Sequence, residues 1–161
     1  MRTIKIVSLL LFIGLISCNK EKIKGKIKTD PELAEELKSS PENIALGNNE
    51  FVLTTYLSRD FMPITEENGS PLMCLNTLSE KDSLTITHSI ELKKQYVIKG
   101  NEIWTADYTE TKKPNDYTVE GLVREGPKWG PNINVDVICE FEISGTTYRV
   151  LAKSQEINKT S

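Results

Sequence analysis

Histidine occurs once in this sequence, at His88, and cysteine three times, at Cys18, Cys74 and Cys139, with no Cys-x-x-Cys pair. A zinc centre draws several such ligands from closely spaced positions, so the sequence speaks against metal catalysis. No Gly-x-Ser-x-Gly elbow marks a hydrolase nucleophile, and no Gly-x-Gly-x-x-Gly or Walker pattern marks a phosphate loop. The chain therefore carries no signature of a catalytic centre, and no cofactor is expected. Its 20 Lys and Arg stand against 23 Asp and Glu, a formal net charge of −3. A nucleic-acid partner would need clustered positive potential over the folded surface, which this balance does not supply. Only one long apolar run is present, at residues 6–16, and no later stretch approaches membrane-spanning length.

That run explains the start of the chain. Arg2 and Lys5 precede it, Ser17 follows it, and the layout is that of a secretion signal. Eleven residues in a helix cover about 16 Å, roughly half of the ~30 Å hydrocarbon layer, so a permanent span is a poor fit. The tetrad Leu15-Ile16-Ser17-Cys18 resembles the lipobox of bacterial lipoproteins. The resemblance implies cleavage after Ser17 and a diacylglycerol on the Cys18 thiol. Two or more acyl chains suffice for stable attachment, each buried methylene contributing ~0.8 kcal/mol. Asn19-Lys20-Glu21-Lys22 resembles the charged segment behind the lipidated cysteine of Bacteroidetes-type lipoproteins, which implies a cell-envelope, outer-membrane location, periplasmic or surface-facing.

Three regions are expected: a cleaved leader (1–17), a lipidated, charged tether (18–45) and a β domain (46–157). Lys20, Lys22, Lys24, Lys26 and Lys28 suit a solvated tether beside anionic headgroups. One short helix is expected within it. Asp30 is a good N-cap, Pro31 suits the first helical turn, and Leu33 and Leu37 share a face that could dock.

From Ile44 the pattern alternates, with β-branched and aromatic residues between Gly, Pro and Asn breaks. Strands are expected at residues 50–57, 72–78, 84–90, 117–123, 133–143 and 146–152, with a hairpin turning at Gly100-Asn101. In the clearest of them, residues 133–143, the odd positions are apolar and the even ones polar apart from Ile138. Seven or eight strands without long helices predict an all-β fold, an antiparallel Ig-like sandwich, with a half-open barrel as the competing form.

Cys74 and Cys139 have a separation that an inter-sheet disulfide could use, and such a bond would be worth ~4 kcal/mol. Two buried thiols are the competing reading. The antibody pattern itself fails, because Trp104 and Val137 stand out of place for it. His88 shares a face with Leu84, Ile86 and Ile90, the position of a core-edge histidine; a general base in a small envelope hydrolase is the rival.

Two loops carry the remaining candidates. Arg59, Asp60, Phe61 and Met62 open the first, residues 58–71, and Lys128 and Trp129 lie between two Gly-Pro steps in the second, residues 124–132. Aromatics on stiff loops lose little entropy on contact, so these six residues are the expected binding surface. Their other reading is as plugs over the open ends of the sheet. The two phrases resemble segments of small exported bacterial β-domain proteins, a likeness that implies no activity. The expected function is thus a lipid-anchored binding module for an envelope protein, peptide or glycan; a structural or inhibitory module pairing through strand edges is a further alternative.

Overall fold

A computed structural model describes residues 24–161. The leader, Cys18, Lys20 and Lys22 lie outside the described residues. Ten strands and one helix follow in the order β1 (Lys26–Thr29), α1 (Pro31–Lys38), β2 (Asn43–Leu46), β3 (Asn49–Asp60), β4 (Leu72–Glu80), β5 (Ile90–Lys99), β6 (Glu102–Asp107), β7 (Glu110–Asn115), β8 (Thr118–Gly126), β9 (Asn134–Ile143) and β10 (Thr146–Thr160). The fold is all-β. No helix among the described residues is long and apolar enough to cross a membrane.

The strands form one curled sheet in the order β1-β6-β5-β9-β10-β3-β4-β8-β7, with β2 paired to β3. The sheet is mixed, which corrects the expectation of antiparallel pairing throughout. Residues Ile157 to Thr160 of β10 run parallel to Leu57 to Asp60 of β3. β10 has an irregularity between Ala152 and Gln155, where Ser154 takes a φ of 54°, stays paired with β9 as far as Glu156, and lies beside β3 from Ile157 onward. Curling brings the two halves face to face. Phe51 of β3 meets Phe141 of β9 with ring centres 6.1 Å apart, and Trp104 of β6 lies over Gly126 of β8. Between them sits the main core, including Leu57, Leu78, Val97, Val137 and Ile157.

The first elements begin earlier than the composition of residues 18–45 suggests. β1 pairs with β6 and β2 with β3, and α1 docks on the outer face of the β5 half. The helix starts as its residues dictate: the Asp30 carboxylate accepts the Leu33 N–H at 3.1 Å, and Pro31 follows the cap. Ala34 and Leu37 are fully buried against Tyr96, Ile98, Ile103, Ile138 and Leu151. Ile138, the apolar exception in its strand, thus faces the helix. β1 has every residue exposed and is held by main-chain pairing, so its composition resembles a tether although its backbone is ordered.

Residues 84–89 are not a strand, in contrast to the expectation for 84–90; β5 starts at Ile90. Glu80 accounts for the change. Its buried carboxylate accepts N–H bonds from Glu50 (3.2 Å), Asp82 (3.0 Å) and Leu84 (2.6 Å), folding the chain back at the end of β4. Burial pushes its pKa up, but the donors from Leu84, Glu50 and Asp82 outweigh it and hold the carboxyl below the usual glutamate range. A depressed folded pKa stabilises the fold above the unfolded value and loses that contribution as pH falls through the folded one. Glu80→Gln should therefore flatten the acid side of the stability profile below about pH 4.3 and lower stability at pH 7. Urea titrations of both proteins across that range check it, and parallel profiles would refute it.

Candidate functional site

The two candidate loops do meet, but through a buried residue. Arg59, at the end of β3, is 1% exposed. Its Nε donates to the Ser70 carbonyl at 2.9 Å, its Nη1 to the carbonyls of Lys128 (3.1 Å) and Gly130 (2.7 Å), and its Nη2 to that of Asn68. One planar fork thus ties residues 68–70 to residues 128–130. Lys128 pairs with Glu66 at 2.6 Å and keeps only 12% of its side chain exposed. Trp129 is buried, with the Lys99 ammonium 5.0 Å from its ring centre. Phe61 packs on Gly69, where φ is +66° and a Cβ would come within 2.6 Å of the ring. Asp60 accepts the Met62 N–H at 3.0 Å. Of these six residues the structure buries Arg59 and Trp129 where the two loops meet and leaves Met62 as the exposed apolar member, at 48%.

Cys74 and Cys139 are free thiols in this structure, so the buried-thiol alternative is the arrangement seen. They lie on facing halves of the sheet within a polar pocket of the core. The Cys74 thiol donates to Asn76 Oδ1 at 3.5 Å. Asn76 Nδ2 donates to Gln95 Oε1 at 2.9 Å and to the Tyr108 hydroxyl at 3.0 Å. Burial raises the Cys74 pKa far above a free thiol's and pushes Cys139 up to about 12. Thiolates are the reactive form, so Cys74 and Cys139 should ignore maleimide at pH 8 in the folded protein. Unfolded without reductant, it should expose both thiols; a bonded pair would expose neither.

Sequence reasoning missed the outer face of the β3-β4-β8-β7 half. Tyr56 pairs with Leu75, Leu75 with Leu122 and Leu122 with Glu110, which forms one cross-strand row. A groove of about 370 Å³ follows this row, lined by Met73, Leu75 and Leu122 between charged walls. Arg124 faces Glu110 at 4.0 Å, and Lys112 pairs with Glu120 at 2.9 Å. A second groove of about 500 Å³ continues from Met73 and Arg124 past Tyr56 to Asp60, Ser70 and Thr160. Tyr56 is 44% exposed. The run Leu72-Met73-Cys74-Leu75 was the available signal: an apolar stretch without alternation has apolar residues on both faces.

His88 is exposed outside the strands, and its Nδ1 lies 3.3 Å from the Thr87 hydroxyl. Among the described residues no group of three or more His, Cys, Asp or Glu is placed to hold a metal ion. No protein family, curated protein or solved structure matches this chain.

Proposed function

We propose that this protein is a lipid-anchored module of the bacterial cell envelope, attached at Cys18 to the outer membrane, that binds an extended peptide segment of another envelope protein. In this reading the two halves of the curled sheet act as an Ig-like sandwich, and the ligand lies across the outer face of one half. The observation that carries it is the continuity of the two grooves through Met73 and Arg124, giving a long track with an apolar floor and walls of both charges. An extended chain matches that shape, its apolar side chains meeting Leu75 and Leu122 and its charged ones meeting Arg124, Glu110 and Lys112. Pairing through the sheet's ends is the weaker reading. β7 carries Lys112, Lys113 and Pro114, and β1 carries Lys26 and Lys28, residues that oppose addition of another strand.

Selection of a displayed random-peptide library on the immobilised protein tests the reading. Peptides should be enriched on the native protein and lost on a folded Leu75→Glu/Leu122→Glu variant, with circular dichroism confirming the fold. Equal enrichment on both proteins, or enrichment of envelope glycans alone on a glycan array, would reject the peptide-binding groove.

A further inference from the structure

The loop between β3 and β4 exposes three apolar residues in succession, Met62, Pro63 and Ile64, and Ile64 is 98% exposed. This loop is not loose. Besides the Arg59 bonds, Phe61 N–H donates to the Thr160 carbonyl at 2.9 Å, Ser70 N–H to the Asp60 carbonyl at 2.7 Å, and Asp60 N–H to the Ser70 hydroxyl at 2.7 Å. Inside it, the Thr65 N–H and hydroxyl both donate to the Met62 carbonyl, at 2.9 and 2.7 Å, and Gly69 N–H donates to Glu66 at 2.7 Å. An apolar tip held on so firm a base loses little entropy when covered.

The path of the chain points to what covers it. Lys24, the first described residue, donates its N–H to the Glu125 carbonyl at 2.7 Å. Glu125 lines the same groove as Asp60, Ser70 and Pro71, the two stems of the loop. At ~3.5 Å per residue, the chain from Cys18 to Lys24 reaches at most about 20 Å. An acylated Cys18 would therefore hold this end of the protein against the bilayer.

We infer that Met62, Pro63 and Ile64 form a membrane-contact tip that enters the lipid interface beside the anchor and fixes the protein's orientation. The inference rests on the lipid-anchor reading above. The charges around the tip agree with a shallow position. Arg59 and Lys159 flank the Phe61 ring at 5.0 and 5.4 Å, Glu66 is paired with Lys128, and Glu67 is exposed. Leu84 provides a control at the opposite end of β4, about 27 Å away along the strand, and is 48% exposed.

The test uses the lipidated full-length protein in vesicles of phosphatidylethanolamine and phosphatidylglycerol. Ile64→Cys or Leu84→Cys is labelled with a polarity-sensitive fluorophore; Cys74 and Cys139 are buried and stay unlabelled. Quenching by nitroxide-bearing lipid should be several-fold stronger at position 64 than at position 84, with a blue shift only at 64. Equal quenching at both positions in protein whose mass shows the acyl chains would overturn the tip while leaving the anchor standing. An unmodified Cys18 in the mass spectrum would overturn both.

Discussion

Arg59→Ala should cost about 3–5 kcal/mol, the largest loss expected from any single substitution in the two loops. The guanidinium donates to four carbonyls, at Asn68, Ser70, Lys128 and Gly130, in a place where the side chain itself is almost sealed from water. Truncation to alanine leaves those carbonyls facing a cavity, and it also removes the stem that fills the space under Phe61. Arg59→Lys should recover little, since one ammonium cannot reproduce a planar fork aimed at two separate loops. Against a total stability of roughly 5–15 kcal/mol, such a loss is large enough to shift the thermal midpoint by about 10 °C. Thermal denaturation gives the size, and hydrogen exchange gives the location: the amides of Gly69, Ser70 and Trp129 should lose protection before the strands do. A midpoint within 2 °C of the native protein, a range of about 1 kcal/mol, would mean that the loops are held by other contacts.

The same residue shows where sequence patterning stops. The loops after β3 and β8 were legible from their Gly, Pro and aromatic content, although β3 runs on through Asp60 and β8 through Gly126, so the expected loop starts at Ser58 and Arg124 are strand; an arginine beside a polar loop carries no mark of burial. Its donors face main-chain carbonyls, and carbonyls are the same at every residue. Burial puts Arg59 and Trp129 at the closed end of the fold, the place that the plug reading of these loops gives them. Met62 retains an exposed role, together with Ile64.

Elsewhere the legible parts are those whose side chains sort cleanly by face. β9 follows its alternation, and α1 follows its cap, its proline and its Leu33–Leu37 face. The exception at Ile138 would have linked the two elements, because a strand apolar on its second face must be covered by something. β7 and the last part of β10 could not be read this way. Residues 110–115 contain no apolar side chain besides Pro114, and residues 153–160 contain only Ile157. Both are held by ladder hydrogen bonds to a neighbour already in place, a property of the partner strand more than of their own composition. The buried Asn76, Gln95 and Tyr108 group was hidden for a related reason. Each of these residues is ordinary in a half-exposed strand, and only the curl of the sheet brings them together.

Trp104→Ala is expected to have the second large effect, about 3–5 kcal/mol. The ring is fully buried in the main core, and its Nε1 donates to the Lys24 carbonyl at 2.7 Å, so it joins the entering chain to the centre of the sheet. Gly126 makes room for it: a Cβ there would lie 2.5 Å from the ring. Gly126→Ala should accordingly cost about 1–3 kcal/mol through overpacking alone. Trp104→Phe keeps an aromatic ring but loses the indole N–H and the far edge of the ring, the edge nearest Gly126. Combining it with Gly126→Ala should be less destabilising than the sum of the two single changes, because the new methyl group then occupies space the smaller ring has vacated. Urea unfolding of the four proteins measures this coupling directly. A favourable coupling of about 1 kcal/mol supports direct packing between the two positions, and additivity within ~0.3 kcal/mol would show that the ring and the glycine do not share the space assigned to them.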